Sequence, residues 1–284
     1  MLAKSALYVV ATPIGNLRDI SLRALDVLAL VDVVAAEHVN TARHLLASHS
    51  IATKIVTLHQ HNEAAVTEKI VALLAARKTI ALVTDAGTPG ISDPGAILVN
   101  QVRTHGYPVI PISGANAAIC ALSAAGITNP HFLFYGFLPN KMAGRKRELE
   151  ALKSLSCTLI FYEAPHRILE CAADLIEVFG TQRQITIARE LTKVFETIHV
   201  CKLGDALTWL QADCNQRKGE FVLLLSGADV VSKSEISDGG QRILKLLLED
   251  LPLKQAVKLA TQITGENKNS LYKLALSLKA DKES

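Results

Sequence analysis

Residues 79–95, with the sequence TIALVTDAGTPGISDPG, constrain the fold more than any other stretch of this 284-residue chain. They begin as a short apolar, β-branched run, which predicts a buried strand, and then change abruptly to turn residues. Asp85 would stand where the strand ends, which is the edge at which open α/β sheets bind ligands. The glycines allow close approach of the backbone to a ligand, and Pro89 and Pro94 stiffen the loop. An ordinary strand-to-helix turn is the alternative.

Short apolar runs alternate with amphipathic segments over the first 128 residues. Strands are predicted at residues 7–10, 32–37, 55–58, 79–83 and 109–112, with helices between them. Such alternation implies right-handed crossovers and a largely parallel sheet. Residues 129–228 alternate less strictly, with strands at residues 132–136, 158–163, 184–190, 195–200 and 220–225 and helices after 163 and from 204 to 211, which indicates a mixed sheet.

The sequence predicts three folded parts and one linker. We expect an N-terminal α/β domain at 1–128, a second α/β domain at 129–228, a polar linker at 229–240 and a helical domain at 241–284. The last domain would hold three short amphipathic helices, at residues 241–250, 253–264 and 269–278.

The composition fits a cytoplasmic protein with a packed core. Apolar residues make up 49% of the chain and charged residues 20%, and the net charge of +3 is too small to prove a nucleic-acid partner. Five cysteines lie scattered without a C-x-x-C pair, as in reduced cytosolic proteins. Neither a signal peptide nor an apolar run of about 18 uncharged residues occurs, so we expect no membrane partner.

Several common catalytic sites are not indicated by any motif. The chain lacks a P-loop, a nicotinamide-type G-x-G-x-x-G after its first strand, and the G-x-S-x-G of serine hydrolases. His59 and His61 have no evident third ligand, so no metal site is predicted. What remains is a set of strand-end loops rich in backbone donors and acceptors. Such loops suit a zwitterionic small molecule, and S-adenosylmethionine fits because methyl transfer from its sulfonium depends mainly on alignment.

Seven motifs then follow one another along nearly the whole chain. They are Thr12-Pro13-Ile14-Gly15-Asn16-Leu17, His59-x-His61-Asn62-Glu63, Asp85-Ala86-Gly87-Thr88-Pro89, Gly136-Phe137-Leu138-Pro139, Phe161-Tyr162-Glu163-x-x-His166-Arg167, Ala188-Arg189-Glu190-Leu191-Thr192-Lys193 and Lys218-Gly219-Glu220. With these motifs the chain resembles the tetrapyrrole methylase superfamily and, within it, the type of the small-subunit ribosomal RNA methyltransferase I.

The resemblance implies a two-domain α/β methylase, usually a homodimer, that holds S-adenosylmethionine between its domains. It also implies methylation of a cytidine ribose 2′-hydroxyl in small-subunit ribosomal RNA, so the partner would be that RNA or the small ribosomal subunit. The C-terminal helices match a helix-turn-helix-like domain that the family appends. The donor site that the resemblance implies consists of Thr12, Asp85, Ala86, Gly87, Ile91, Ala115, Asn116, Ala117, Tyr162, Leu191, Glu220 and Phe221.

Because a ribose hydroxyl is a poor nucleophile, a nearby base or cation would help the reaction. We expect Glu190 and Lys193 to serve, with Glu163 and Glu37 as further possibilities. A salt-sensitive RNA surface is predicted at Lys141, Arg145, Lys146 and Arg147, with a solvated loop as the alternative. Arg167 and Arg189 would clamp a phosphate or form structural pairs with glutamates. Asp85 would contact the donor or cap its own turn.

Two loops depart from the family pattern. After Ala36-Glu37 the family usually continues Asp-Thr-Arg, whereas this chain has His38-Val39-Asn40. Where the family commonly has Pro-Gly-Pro, this chain has Ser113-Gly114-Ala115. Two rival functions stay open besides ribosomal RNA methylation, and the His38-Val39-Asn40 departure motivates the second of them. One is a methylase of a small tetrapyrrole-like substrate, which the basic segment and the C-terminal helices disfavour. The other is a relative that binds RNA or the ribosome without turnover.

Overall fold

A computed structural model describes residues 2–58, 63–228 and 236–283. The chain divides by its internal contacts into two compact units, Met1–Ala228 and Asp229–Ser284. The first unit contains two five-stranded sheets, and the second is helical. Within the described residues, no helix is both long enough and apolar enough to cross a bilayer.

The first sheet is entirely parallel. Its strands are β1 (Leu7–Val10), β2 (Val33–Ala36), β3 (Lys54–Thr57), β4 (Ile80–Val83) and β5 (Val109–Ile112), in the order β3-β2-β4-β1-β5. The crossovers are α1 (Leu22–Leu30), α2 (Val39–Ser48), α3 (Glu63–Ala75) and α4 (Ala96–Thr104), and α5 (Ala117–Ala124) follows β5. All four residues of β4 are buried, as the apolar run predicts for a central strand covered on both faces.

Helices cover both faces of this first sheet. On one face, Ala24 and Leu28 of α1 and Leu46 of α2 pack with alternate strand residues. On the other face, Leu74 of α3 and Leu98 of α4 do the same with the residues in between. This three-layer arrangement places the carboxyl ends of β1, β2, β4 and β5 at one edge, where open parallel sheets bind ligands.

The second sheet is mixed, as predicted. It contains β6 (Phe132–Phe137), β7 (Thr158–Glu163), β8 (Gln184–Arg189), β9 (Thr197–Lys202) and β10 (Phe221–Leu225), in the order β6-β7-β10-β8-β9. Strands β6 and β7 pair in parallel, and the other three pairings are antiparallel. Its helices are α6 (Met142–Leu152), α7 (Ile168–Phe179) and α8 (Ala206–Ala212). The parallel first sheet and mixed second sheet confirm the predicted fold class.

In the part of the chain that contains the second sheet, two elements begin two residues later than the sequence predicts. The edge strand β9 begins at Thr197, two residues later than predicted, because residues 193–196 form a turn in which the Glu196 amide donates to the Lys193 carbonyl over 3.1 Å. The helix predicted at residues 204–211 begins at Ala206, because Leu203–Asp205 form a single 3₁₀ turn.

Helix α5 joins the two sheets of the first unit. Although it follows β5, its Ala118 and Ala121 pack with Ile160, Val222 and Leu224 of the second sheet. The opposite face of that sheet carries the largest core cluster, which includes Phe161, Leu175 and Leu223. Small side chains on α5 allow a helix to lie close to the strands, so the small-residue sequence of this helix has a packing cause.

The second unit contains three helices among its described residues. They are α9 (Asp238–Asp250), α10 (Leu253–Thr264) and α11 (Lys268–Glu283), packed around Leu244, Val257, Ala260 and Leu271. Of the linker predicted at 229–240, residues 229–235 lie outside the described residues. Residues 238–240 belong to α9, because the Ser237 hydroxyl accepts a hydrogen bond from the Gly240 amide and so begins the helix earlier than predicted.

Candidate active site

A cleft of about 290 Å³ opens between the carboxyl ends of the first sheet and one end of the second. The loop after β4 supplies Ala86, Gly87 and Ile91, and the start of α5 supplies Asn116 and Ala117. From the second sheet come Tyr162, Leu191 and Phe221. Most of these side chains are small or apolar, so the polar atoms that they offer a ligand are mainly backbone amides and carbonyls.

Nine of the twelve predicted donor-site residues line this cleft. They are Ala86, Gly87, Ile91, Asn116, Ala117, Tyr162, Leu191, Glu220 and Phe221. The remaining three, Thr12, Asp85 and Ala115, lie in adjoining loops. Thr12 and Asp85 border a separate, smaller cavity of about 80 Å³, which is also lined by residues of α2.

Thr12 shapes the cleft without lining it. Its amide donates to the Gly87 carbonyl over 2.8 Å, and the Gly87 amide donates to the Thr12 carbonyl over 3.0 Å. Gly87 has a φ of +80°, and a β-carbon placed on it would lie 3.5 Å from the side chain of Ile14. A glycine is therefore required there by the backbone conformation. The Thr88 hydroxyl donates to the Ala115 carbonyl over 3.0 Å, which ties this loop to the start of α5.

Asp93 is a cleft residue that the sequence analysis did not single out. Burial, followed by the negative charges of Glu37 and Asp85, raises the pKa of Asp93 to about 6, although the Thr84 hydroxyl opposes the shift. In the sequence, only the position of Asp93 in the Ile-Ser-Asp-Pro segment of the strand-end loop indicates a place in the site. That position does not predict the raised pKa, because Glu37 follows a different strand and approaches Asp93 only in the folded chain.

A charged cluster at the ends of β2 and β4 adjoins Asp93. The Nδ1 atom of His38 lies 2.7 Å from Oδ2 of Asp85, and both side chains are substantially exposed. Glu37 completes the cluster, since its carboxylate and the polar atoms of the other two residues all lie within 4.8 Å of one another. His38, which stands where the family usually has aspartate, thus pairs directly with the carboxylate predicted to contact the donor.

Glu163, predicted as a further base, is tied into the protein. Its Oε1 accepts a hydrogen bond from the Ala164 amide over 2.8 Å and lies 3.3 Å from Nε of Arg167. The side chain of Glu163 has no exposed surface. Arg167 in turn donates to the carbonyls of Leu138 and Pro139, over 2.8 and 3.2 Å. This geometry matches the structural-pair alternative for Arg167.

Glu190 and Lys193 form an ion pair beside the cleft. Lys193 Nζ donates to Glu190 over 2.8 Å and to Glu220 over 2.9 Å, and the Glu220 amide donates to Glu190 over 3.0 Å. Burial raises the pKa of Glu190, but the hydrogen bonds from Lys193 and Glu220 outweigh it, so the net shift is downward. Burial lowers the pKa of Lys193, but the bonds to both carboxylates outweigh it and the net shift is upward. Both groups are therefore charged at neutral pH.

The backbone around this pair is unusual. Glu190 and Thr192 have φ values of +52° and +67°, in a region that side chains other than glycine rarely occupy. A β-carbon on Gly15 would lie 2.5 Å from Cγ of Lys193, so the stem of Lys193 lies directly against the loop after β1. Strained residues of this kind cluster at functional sites, where the surrounding structure holds them.

The six predicted RNA-binding cations differ greatly in exposure. Lys141 is exposed and Arg147 has 81% of its side chain exposed, whereas the side chain of Lys146 is 26% exposed and pairs with Glu177 over 2.6 Å. Arg145 is buried, with Nε donating to Asp174 over 2.6 Å. Arg189 is also buried and donates to the carbonyls of Lys218 and Phe195. We therefore leave Arg145 and Arg189 out of the RNA surface proposed below.

His59 and His61, weighed above as metal ligands, lie outside the described residues. So do Gln60 and Asn62, and with them most of the second of the seven motifs. The other six motifs fall within the described part of the chain. All six contribute residues to the cleft wall, namely Ile14, Gly87, Phe137, Tyr162, Leu191 and Glu220.

Comparison with known proteins identifies both parts of the chain. Residues 6–207 match the family model of tetrapyrrole (corrin/porphyrin) methylases, and residues 234–279 match that of the RsmI C-terminal HTH domain. Proteins named ribosomal RNA small subunit methyltransferase I are similar over nearly their whole length. The one from Vibrio cholerae is 47% identical over 95% of this chain and 94% of its own, and that from Pseudomonas aeruginosa is 47% identical over 97% and 98%.

Solved structures of other methylases share the fold at low sequence identity. Uroporphyrin-III C-methyltransferase from Thermus thermophilus matches with a TM-score of 0.56 and 18% identity, over 78% of this chain and 94% of its own. The methyltransferase CobJ matches with a TM-score of 0.58 and 19% identity, over the same shares. The family match over most of the first unit, together with the near full-length relatives, shows that the chain belongs to the tetrapyrrole methylases, in the group of ribosomal RNA small subunit methyltransferases I.

Proposed function

We propose that this protein is an S-adenosylmethionine-dependent 2′-O-methyltransferase that acts on a cytidine of small-subunit ribosomal RNA. The observation that carries the proposal is the near full-length identity of about 47% with relatives whose names state small-subunit ribosomal RNA as substrate. The cleft at the strand ends supports it, because nine residues expected to bind the donor line one cavity.

The walls of the cleft fit S-adenosylmethionine. The backbone of Ala86, Gly87 and Ala117 would hold its polar ends, and Leu191 and Phe221 offer apolar surface to its adenine. Gly87, with a φ of +80°, allows the backbone conformation that this loop adopts in the cleft wall. The carboxylate of Glu220 suits a ligand that carries a sulfonium and an ammonium group. When bound, S-adenosylmethionine supplies an electrophilic methyl group.

The residues of the chain would then position the acceptor and exclude water. Tyr162 is held by the Ala118 amide, which donates to its hydroxyl oxygen over 3.1 Å, and by edge contacts to the rings of Phe134 and Phe137. These aromatic groups give one wall of the cleft a fixed shape. Alignment of this kind contributes a large part of the rate in a displacement that needs no covalent intermediate. The charged pair of Glu190 and Lys193 beside the cleft supports a binding or electrostatic role, in which Lys193 faces acceptor phosphate or hydroxyl groups.

The partner would be the small ribosomal subunit, which exposed cations on the first unit and on the helical unit would contact. Lys141 and Arg147 of the first unit, with Lys146 behind them, form the part of the RNA surface that the structure leaves accessible. A protein that acts on the small ribosomal subunit would work in the cytoplasm.

We also propose the domain limits 1–128 and 129–228 for the two sheets and their helices.

We also propose a homodimer. The family resemblance carries this proposal, and the strongly exposed Val194 and Phe195 support it, because large apolar side chains side by side at the surface are typical of interfaces. Analytical ultracentrifugation should give twice the chain mass of 30.6 kDa, and Phe195→Asp should shift it toward the chain mass. A wild-type chain that sediments as a monomer at micromolar concentration would contradict the proposal.

The test of the reaction uses small ribosomal subunits from a strain that lacks this protein. These are incubated with the purified chain and labelled S-adenosylmethionine, and the label is mapped by nuclease digestion and mass spectrometry. We expect one labelled cytidine ribose. No label, while the Vibrio cholerae relative is active in parallel, would overturn the proposal. If the chain then still bound the donor, the result would favour a relative without turnover.

A further inference from the structure

Three acidic residues contribute to the cleft wall among the described residues, and their carboxylates differ in exposure and in the groups that they already bind. These residues are Asp93, Glu163 and Glu220. Glu163 has no exposed side-chain surface and is held by Arg167 and the Ala164 amide. Glu220 accepts a hydrogen bond from Lys193 over 2.9 Å, and 76% of its side chain is exposed to solvent. A carboxylate that is paired with a cation holds a proton weakly and is a poor base.

Asp93 has different surroundings, in which burial and neighbouring carboxylates oppose its ionisation, although a hydrogen bond from the Thr84 hydroxyl favours it. It is half-buried, and the charged groups that act on it are the carboxylates of Glu37 at the end of β2 and Asp85 after β4. From β7 it faces Tyr162, whose pKa is raised by burial and then by the charge of Asp93. His38 is engaged with Asp85 at 2.7 Å, so its ring pairs with that neighbour. Asp93 thus combines access to the cleft with an environment that favours taking up a proton.

The loop that carries Asp93 is held between the two sheets. Ser92 has a φ of +61°, and its hydroxyl oxygen would lie 2.7 Å from a β-carbon placed on Gly136 of β6. The next residue, Pro94, is buried. Because the loop is fixed on both sides of Asp93, its carboxylate has a defined position at the junction of the two sheets, which is where a donor and an acceptor would meet.

We propose that Asp93 is the general base of the reaction, accepting the proton of the acceptor ribose hydroxyl. In this step the hydroxyl oxygen forms a bond to the methyl carbon while its proton moves to the Asp93 carboxylate. The bond between that carbon and the sulfonium sulfur breaks, and its electron pair stays on sulfur as a neutral thioether. Asp93 later returns the proton to solvent. This assignment rests on the proposed function and adds the group that handles the proton.

The proton affinity of Asp93 suits this role. A general base works best when its pKa lies close to the working pH, and positioned bases contribute about 10²- to 10⁴-fold in rate. A pKa of about 6 leaves Asp93 mostly ionised at pH 7 and still more basic than an ordinary aspartate. Glu190, whose pKa is lowered, would be a weaker base at the same pH.

The first experiment compares Asp93→Asn with Asp26→Asn, a matched change at an exposed aspartate on α1. Methyl transfer to small subunits is measured at saturating donor and subunit, and binding of S-adenosylhomocysteine is measured by calorimetry. We expect Asp93→Asn to lower kcat by 100-fold or more, with a Kd for S-adenosylhomocysteine within about threefold of wild type. Asp26→Asn should change neither quantity.

Two results would overturn the assignment. One is an Asp93→Asn protein that keeps more than a third of the wild-type kcat. The other is parallel loss of S-adenosylhomocysteine binding and activity, which would make Asp93 a donor contact. If wild type labels no ribose at all, the proposed function fails and the assignment falls with it. If wild type labels the ribose and Asp93→Asn does so equally well, only the assignment fails.

A second experiment separates a proton-accepting role from a structural one. The acid limb of the wild-type kcat profile should have its midpoint near pH 6, and Glu37→Gln should move that midpoint to lower pH by removing a negative neighbour. Carboxyl ¹³C resonances of aspartate-labelled protein, recorded without donor or RNA, report the same titration directly. The resonance missing in Asp93→Asn should titrate near pH 6. A midpoint below pH 4.5, or one unmoved by Glu37→Gln, would contradict the proposal.

Discussion

Arg145 and Arg147 stand two residues apart on α6, yet their surroundings assign them opposite roles. Arg145 has 1% of its side chain exposed and pairs with Asp174, whereas Arg147 has 81% exposed. Removing one partner of a buried pair leaves an uncompensated charge, which costs about 3–5 kcal/mol. We predict that Arg145→Leu lowers the free energy of unfolding by about 3 kcal/mol and that Arg147→Leu changes it by less than 0.5 kcal/mol.

Urea unfolding of both variants at pH 7 would check this prediction. The double variant Arg145→Leu/Asp174→Leu should recover part of the loss, because both charges are then removed. Equal stability of Arg145→Leu and wild type would show that the pair contributes nothing.

Asp32 makes the free energy of unfolding depend on pH, and the direction of its pKa shift determines the direction of that dependence. Hydrogen bonds from Lys78 and then from the Thr79 amide lower its pKa to about 2. Because the folded-state pKa is depressed, the stabilisation is present above about pH 4 and is lost as the pH falls toward 2. The side chain is 34% exposed, so solvent screening leaves a contribution of about 1 kcal/mol.

The difference in unfolding free energy between wild type and Asp32→Asn should therefore be about 1 kcal/mol at pH 7 and near zero at pH 2. Asp26→Asn serves as the exposed control, with no difference at either pH. A gap between wild type and Asp32→Asn that stays constant from pH 7 to pH 2 would refute this interpretation.

Individual residues show which features of the site could be predicted from the sequence and which could not. The place of Ala86, Gly87 and Ile91 in the cleft wall could be predicted, because the strand, glycines and prolines that position this loop are neighbours in the sequence. The burial of Arg145 could not, since its partner Asp174 lies 29 residues further on and on another helix. The environment of Asp93 depends likewise on Glu37, which belongs to another strand.

At the scale of elements, α6 presents the accessible part of the proposed RNA surface. Lys141 precedes the helix and Arg147 lies on its exposed side. Each cation that neutralises a phosphate adds about 0.7–0.9 to the slope of log K against log salt. We predict that Lys141→Ser/Arg147→Ser weakens binding to small subunits at 0.1 M salt and reduces the magnitude of that slope by about 1.5.

The matched control is Arg23→Ser/Arg103→Ser, which removes two exposed cations from α1 and α4. It changes the net charge by the same amount and should leave the slope close to that of wild type. An equal reduction in both double variants would assign the effect to net charge and not to α6.

Elements were predicted best where apolar periodicity is strong, as for β4 and α10. Their ends were predicted less well, because caps and turns decide them. Helix α9 begins at Asp238, three residues earlier than the sequence predicts. The small-residue sequence of α5 predicted a helix, but the packing of that helix on the second sheet depends on contacts that no local pattern contains.

At the scale of the whole molecule, the described residues that line the cleft all belong to the first unit, and the second unit has an apolar core of its own. The described helices of that second unit carry exposed cations at Arg242, Lys245, Lys254, Lys258, Lys268 and Lys273. These features support different roles for the two units. The first unit would hold the donor and catalyse methyl transfer, and the helical unit would add affinity for RNA.

A shortened chain that ends at Ala228 tests these separate roles. Because each unit has a separate core, we predict that the shortened chain stays folded and binds S-adenosylhomocysteine within about threefold of the full chain. Loss of six exposed cations should raise the KM for small subunits by at least tenfold at 0.15 M salt, with a smaller effect on kcat. Circular dichroism, calorimetry and initial rates measure these quantities. A shortened chain with an unchanged KM would remove the helical unit from substrate binding, and one that no longer bound the donor would show that the first unit depends on the second.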